Sequence, residues 1–252
     1  MEAGRKESDS PDSNSDSNSA ADSSPSEDSA VSVVAPKTVG GDDDHPNVKL
    51  TAVNWRAKCG ITGVRNQGAC GSCWAFATTA AIESSRKIQL GRGARLSEQQ
   101  LVDCVYDRTG CNGGWMHKAM QYVIDHNGIQ SNKNYPYSAS GYQPCPKGHI
   151  GGFAKIYNFT ESPESDCVAL RALIAVRPAT VALCTGSNFQ SYSSGVFNGC
   201  SSTCSVNHAV LAYGYTSVGD WRIKNSWGTG WGMSGHMKLK AGDMCKVCRY
   251  GG

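Results

Sequence analysis

The hydrophobic and polar positions divide the chain near residue 150 into a part that predicts helices and a part that predicts strands. Apolar residues fill nearly every side of the start of segment 73–90, which predicts a buried central helix. The Ser-x-x-Gln capping box at Ser97–Gln100 predicts a second helix through Cys104. Residues 115–126 place apolar side chains on one face and predict a third helix.

After residue 152 the pattern changes to short runs rich in β-branched and aromatic residues, separated by Gly, Ser and Asn. A short alternating run near residue 53 predicts one earlier strand. The predicted strands cover residues 53–56, 153–159, 180–183, 208–215, 221–223 and 237–239. Helices first and strands second predict an α+β fold of two lobes.

The first 47 residues differ chemically from the rest of the chain. They contain 11 acidic and three basic residues, whereas residues 48–252 contain 10 acidic and 21 basic residues. Ten of the first 30 residues are Ser. Such a segment has too little apolar surface to offset the loss of backbone entropy on folding, so we expect it to be disordered. It is either a solvated tail, a remnant of a pro-segment or an electrostatic partner of the basic domain.

Twelve cysteines in 252 residues are more than an ordinary cytosolic enzyme carries. They indicate an oxidising compartment, metal sites or both. Met1–Ser10 lacks the basic start and apolar stretch of a secretory signal peptide. No run approaches the ~18 apolar residues of a membrane-spanning helix, which excludes an integral membrane protein.

The strongest candidate chemistry begins at Cys73, in the segment NQGACGSCW. Cys73 starts the central helix, where free N–H groups and the helix dipole favour a thiolate, the nucleophilic form of cysteine. His208, at the start of a predicted strand, supplies an imidazole suited to act as base and acid near neutral pH. Asn225 ends the next strand, and its amide can hold one imidazole nitrogen. The sequence therefore predicts a Cys–His–Asn catalytic set.

Two other functions compete for the same cysteines. Cys70 and Cys73 form one C-x-x-C motif and Cys245 and Cys248 form another, which together could bind zinc or exchange a disulfide. Neither explains Gln67, His208 and Asn225. A non-catalytic peptide-binding relative is the other alternative, and it would be expected to have lost one of the reactive residues.

The chain resembles the papain and cathepsin family of cysteine endopeptidases over about residues 51–250. The resemblance rests on several motifs in the right order, and not on any single one. They are QGACGSCWAF at 67–76, LSEQ at 96–99, LVDC at 101–104, CNGG at 111–114, YPY at 135–137, NHAV at 207–210 and KNSWGTGWG at 224–232. The family implies a helical lobe and an antiparallel β-barrel lobe, with the active site in the cleft between them.

The resemblance also implies a role for each matching residue. Cys73 resembles the nucleophile, His208 the acid and base, and Asn225 the orienting amide. Gln67 resembles the side-chain donor of the oxyanion hole, which acts with the Cys73 backbone N–H. Two further roles follow in the same way: Trp227 resembles the indole that shields the His–Asn contact from water, and Gly113 and Gly114 resemble the backbone edge that pairs with an extended substrate.

The family's main specificity pocket takes the side chain of substrate residue P2, one before the residue whose carbonyl is attacked. The matching positions here are all apolar or aromatic: Trp115, Met116, Ala182, Val206, Ala209 and Tyr250. We see no carboxylate at the end of this pocket that could receive Arg or Lys. A hydrophobic P2 residue such as Leu, Val or Phe is therefore expected.

Three disulfides are implied by the resemblance: Cys70–Cys111, Cys104–Cys145 and Cys200–Cys245. Setting Cys73 aside leaves an odd number of cysteines, so at least one thiol has no partner within the chain. Cys204–Cys248 is a further candidate pair, and Cys59 has no evident partner.

The resemblance sets the remaining expectations. Residues 1–47 form a tail and 48–252 the catalytic domain, with a helical lobe at about 59–150 and a β lobe at about 151–252 plus the 48–58 strand. We expect an endopeptidase made as a zymogen, with no cofactor and no metal. Its partners are protein and peptide substrates and protein inhibitors of cysteine proteases, without nucleic acid or a membrane span. The family implies a monomer that is secreted, lysosomal or vacuolar.

Overall fold

The structure is a computed structural model that describes residues 51–106, 110–141, 144–146 and 152–252. The acidic tail predicted at residues 1–47 lies outside these ranges. The helices are α1 Cys73–Leu90, α2 Glu98–Cys104, α3 Met116–Asp125, α4 Cys167–Val176 and α5 Ser187–Gln190. The strands are β1 Val53–Asn54, β2 Ala179–Leu183, β3 Val196–Phe197, β4 His208–Tyr215, β5 Trp221–Lys224, β6 His236–Leu239 and β7 Tyr250–Gly251.

The central helix α1 has the bounds that the sequence predicts. Its first three turns are buried without interruption from Trp74 to Ser84, as expected of a helix that packs on both lobes. Gly91 ends it in the left-handed conformation (φ 65°), which a glycine adopts without steric cost. In α2 the Ser97 hydroxyl accepts a hydrogen bond from the Gln100 N–H. Only this half of the predicted capping box forms, because the Gln100 side chain bonds to Tyr122 and Gln130 instead.

The strands form one sheet in the order β3-β6-β5-β4-β2-β7, with β1 added to β4. All pairs are antiparallel except β3 and β6. Strand β4 is buried along its whole length, because α1 covers one face and the core of the β lobe covers the other. The two hydrophobic cores therefore meet at β4.

Two sequence predictions on the β side need correction. Residues 153–159 are not a strand: only Ala154 forms an isolated bridge, to Ile129, because the rest of the run has no strand beside it. Helix α4 lies in the lobe where only strands were predicted, and Asp166 caps it by accepting from the Val168 and Ala169 N–H groups. It packs on the sheet through its buried Leu170 and Ile174, in the same core as Val181 and Val210.

Five disulfides link the described residues. Cys70–Cys111, Cys104–Cys145 and Cys200–Cys245 are the pairs that the resemblance implies. Cys204–Cys248 was wrong, because Cys248 bonds to Cys167 at the start of α4 and Cys204 bonds to Cys184 at the end of β2. Cys59 and Cys73 are the free thiols. Among the described residues, no helix has both the length and the apolar character needed to cross a bilayer.

Candidate active site

The Cys73 thiol lies at the first residue of α1, next to the start of β4. The helix has no side-chain N-cap, since the Ser72 hydroxyl bonds to Tyr137 instead. Backbone N–H groups of Ala209, Trp74 and Cys73 point at the sulfur and lower its pKa, but burial has the larger effect and raises the pKa of the thiol. The sulfur therefore lies beside the residue that follows His208 along β4.

His208 and Asn225 come together from neighbouring strands. The imidazole Nε2 is 2.8 Å from Asn225 Oδ1, and both side chains are buried. Because Asn225 Oδ1 is an acceptor, this contact places a proton on His208 Nε2, which donates to it. Nδ1 is then the ring nitrogen that can accept a proton. Burial lowers the pKa of His208 to about 4, against a smaller opposite effect of the Asn225 contact.

An aromatic group encloses the His208–Asn225 contact. The Trp227 indole lies 4.7 Å from the imidazole, centroid to centroid, as expected for a ring that shields this pair. Phe189 packs edge-on against Trp227 and face-on against Trp231. Sequence reasoning did not assign Phe189 or Trp231 a role, although Trp231 stands in the matched motif at 224–232.

The Gln67 side chain is held in one orientation from both ends. Its Nε2 donates to the Cys70 carbonyl at 3.0 Å, and its Oε1 accepts from the Ser226 hydroxyl at 2.6 Å. One N–H of the amide remains for another acceptor. Ser226 follows Asn225 along the chain, so one segment of the β lobe contacts both His208 and Gln67. Sequence reasoning missed this role of Ser226, because the two residues are 159 positions apart.

Gly113 and Gly114 are glycines for different reasons. Gly113 has φ +105°, which L side chains rarely adopt, and a side chain there would meet only open space. At Gly114 a Cβ would lie 2.6 Å from the rings of Trp74 and Tyr106. Internal packing against Trp74 and Tyr106 therefore requires glycine at position 114. At position 113 the backbone conformation favours glycine, and the space beside its Cα is open.

The structure brings the predicted pocket residues into one row across the sheet. Ala182 on β2 lies directly opposite Ala209 on β4 and opposite Tyr250 on β7. Tyr250 meets the Trp115 ring edge-on at 5.3 Å. Met116 is buried and Val206 half-buried in the same cluster. Glu161 lines a cavity that shares Trp115, Met116 and Tyr250 with this set of residues.

The cysteines of the zinc and redox alternatives are paired elsewhere. Cys70 bonds to Cys111, Cys245 to Cys200 and Cys248 to Cys167, which leaves Cys73 as the only free thiol of the two C-x-x-C motifs. A thiol in a disulfide cannot act as a thiolate ligand. This pairing argues against a four-thiolate site built from the two motifs.

A buried ionic cluster lies behind the site, where the helices meet the sheet. Arg65 donates to both Glu83 on α1 and Glu98 on α2. Burial and the neighbouring Glu83 carboxylate raise the pKa of Glu98 to about 7, although Arg65 opposes the shift. Lys224, next to Asn225, donates to the Thr62 carbonyl at 3.0 Å, and burial lowers its pKa to about 8. Because the Thr62 hydroxyl donates to Glu83, the cluster reaches the β lobe at Lys224, the residue before Asn225.

Comparison with known proteins gives consistent matches. Residues 50–250 match the model of the papain family cysteine proteases. "Cathepsin L 2" of Paramecium tetraurelia is 39% identical over 225 residues, which cover 86% of this chain and 69% of that protein. The chain spans between about half and just over two thirds of the length of such curated relatives.

Two solved structures share the fold. The bromelain protease of Ananas comosus, in complex with the E64 inhibitor, superimposes with a TM-score of 0.73 at 37% identity and covers 79% of this chain and 96% of its own. The ragweed pollen allergen Amb a 11, a cysteine protease in its proform, has a TM-score of 0.73 at 38% identity, covering 79% of this chain and 64% of its own. The α+β, two-lobed fold class predicted from the sequence is confirmed.

Proposed function

The chain belongs to the papain family of cysteine proteases, and on that basis we propose that it hydrolyses peptide bonds with Cys73, His208 and Asn225. The observation that carries the proposal is the buried His208–Asn225 contact, which lies beside a free thiol at the start of a buried helix. The other cysteines of the two C-x-x-C motifs are in disulfides, so Cys73 is the nucleophile available there.

The geometry supports a two-step mechanism. The Cys73 proton passes to His208 Nδ1, because Nε2 is engaged by Asn225, and Cys73 Sγ then attacks the peptide carbonyl carbon. His208 then gives this proton to the leaving amine, which departs and leaves an acyl-thioester on Cys73. In the second step His208 takes a proton from water while the water oxygen attacks the thioester carbonyl carbon. The C–S bond then breaks, the carboxylic acid leaves, and the proton on His208 passes to the Cys73 sulfur and restores the thiol.

The oxyanion that forms in each step needs donors that are already in place. Gln67 Nε2 keeps one N–H for this purpose, and the Cys73 backbone N–H is the second donor. Because Ser226 and the Cys70 carbonyl hold the Gln67 amide, it needs little reorientation when the charge develops. Trp227 keeps water from the His208–Asn225 contact.

Two effects compete over the charge state of the resting site. Burial raises the pKa of Cys73 and lowers that of His208, and both shifts favour the neutral pair. The helix N-terminus and the attraction between a thiolate and an imidazolium favour the charged pair. We propose that the charged pair is reached near neutral pH and is the form that attacks.

Substrate selection follows from the row of pocket residues. A hydrophobic P2 side chain packs against the neighbouring methyl groups of Ala182 and Ala209, with Trp115 and Tyr250 at the end, and Gly113 offers the substrate backbone an open edge. We propose endopeptidase action with Leu, Val or Phe preferred at P2. Each extra buried CH₂ adds about 0.8 kcal/mol until the aromatic pair is reached.

Further proposals concern the setting of the enzyme. Residues 48–252 form the catalytic domain, and the chain is made as a zymogen, as the proform of the ragweed relative illustrates for that protein. Protein substrates and protein inhibitors are its partners, and it acts as a monomer. The five disulfides support an oxidising location, secreted, lysosomal or vacuolar.

Alkylation of Cys73 tests the proposed function. One equivalent of iodoacetamide near pH 7 should label Cys73 and abolish cleavage of a peptide library. Cys59 is an exposed second thiol, so the Cys59→Ser variant serves as the matched control and should retain activity. Peptide mapping by mass spectrometry locates the label. Full cleavage by a protein labelled at Cys73, or labelling that starts only above pH 9, would contradict the nucleophile or its charged resting state, respectively.

A further inference from the structure

A cavity of about 280 Å³ is lined by both Trp115 and Tyr250, whose rings meet edge-on. Trp115, Met116 and Tyr250 belong both to the proposed P2 pocket and to the wall of this cavity. Met120 and Phe159 add apolar surface, and Glu161 contributes a carboxylate. The space behind the apolar P2 pocket is therefore neither closed nor uncharged.

Glu161 is the acidic group of this cavity, and among the described residues it forms no ion pair with Lys or Arg. Among the described residues, its ion-pair neighbour is His117, with 3.9 Å between Oε1 and Nδ1, and no Lys or Arg lies within that range. The neighbouring acid Glu164 differs, because Arg249 donates to it at 2.8 Å. The Arg249 charge near Tyr250 is thus balanced by Glu164, and the Glu161 charge remains open to a ligand.

We propose that this cavity extends the P2 pocket and makes Glu161 a specificity-determining residue that admits Arg or Lys at P2. The inference rests on the proposed function and adds a second class of substrate to it. The aliphatic stem of the basic residue lies along Met116 and Trp115, as a hydrophobic side chain would. Its charged head continues past the aromatic pair, whose ring faces attract a cation, and pairs with Glu161.

The size of the effect follows from the exposure of the carboxylate. The Glu161 side chain is 56% exposed, so its ion pair with substrate is screened by water. About fivefold in kcat/KM is the upper end for such a pair. A Leu or Phe side chain at P2 is too short to reach the Glu161 carboxylate, so kcat/KM for these peptides should not depend on it.

The experiment compares four peptides that differ only at P2: Leu, Phe, Arg and citrulline, the uncharged isostere of Arg. The wild-type full chain should cleave the Arg peptide roughly two- to fivefold better than the citrulline peptide, and added salt should reduce this ratio. Glu161→Gln should bring the ratio close to one and leave kcat/KM for Leu and Phe unchanged. Glu164→Gln is the matched control, since it removes an equal charge three residues away that does not line the cavity.

The outcomes separate this inference from the function on which it rests. A wild-type ratio near one, an unchanged ratio in Glu161→Gln, or an equal fall in Glu164→Gln would overturn the role of Glu161 while Leu and Phe cleavage continues. Loss of cleavage of all four peptides by the wild type would instead overturn the proposed function.

Discussion

At the residue scale, the candidate site depends on side chains that hold other side chains. Asn225 faces His208, Ser226 holds Gln67, and the Gln67 backbone carbonyl accepts from the Tyr137 hydroxyl at 2.7 Å. The Tyr137 hydroxyl also bonds to Ser72, the residue before the proposed nucleophile. Reactive groups held by such bonds lose little freedom when a transition state forms.

The Gln67 contacts predict a graded pair of mutational effects. Gln67→Ala removes the proposed oxyanion donor and should lower kcat by about 10²–10³ with little change in KM. Ser226→Ala only frees the Gln67 amide to rotate, so we expect a fall of about tenfold or less. Steady-state kinetics on one Leu-containing peptide measures both. Equal kcat values for Gln67→Ala and the wild type would show that the amide has no part in catalysis.

At the element scale, local signals predicted most helices and strands but not all. The bounds of α1 and β4 follow directly from the sequence pattern, because both are long, apolar and ended by residues that break the pattern. Helix α4 was missed since a short, nearly continuous apolar run fits a buried strand as well as a helix. The run at 153–159 has strand-forming residues, but a strand also needs a neighbour along its length, which only the tertiary structure supplies.

The buried Arg65 cluster joins the segment before α1 to α1 and α2, and its contribution to stability can be measured. Arg65→Met leaves Glu83 and Glu98 buried without their shared partner and should destabilise the fold by about 3–5 kcal/mol. Arg92→Met is the matched control, because Arg92 is exposed at the end of α1, and it should change stability by less than about 0.5 kcal/mol. Denaturant unfolding in a Cys73→Ser background avoids self-digestion. Equal midpoints for the two variants would show that the cluster is not stabilising.

At the scale of the whole molecule, buried titratable groups make stability depend on pH. Burial lowers the pKa of His208 and His236 from 6.5 to about 4, so the folded protein binds fewer protons than the unfolded chain between these values. The free energy of unfolding therefore falls as the pH falls from 6.5 to 4. Glu98 acts in the opposite direction, because its pKa rises from 4.5 to about 7 and the folded state gains stability as the pH falls through that range. The two histidines together change the free energy of unfolding more than Glu98 does, so the protein loses stability overall as the pH falls through this range.

The balance predicts the behaviour of a His236 variant. His236 is buried against Tyr213, and its Nδ1 has no hydrogen-bond partner among the described residues. For the Cys73→Ser protein with His236 intact, the free energy of unfolding should drop by about 2–3 kcal/mol as the pH is lowered from 6.5 to 4.5. His236→Gln should make this profile nearly level, whereas His126→Gln, which removes an exposed imidazole, controls for the substitution itself. A slope unchanged by His236→Gln would mean that His236 does not take part.

Local chemistry in the sequence was sufficient to predict the two-lobed fold class, the family, the central helix and the candidate nucleophile, base and amide. Each rests on residues close together in a motif or on a pattern within one element. The tertiary structure alone decided the other contacts. These are the disulfide partners of Cys167 and Cys184, the hydrogen bond from Ser226 to Gln67, the Arg65 cluster, and the position of Glu161 in the same cavity lining as Tyr250. These contacts join distant segments, and separation along a chain carries little information about distance in space once the elements pack.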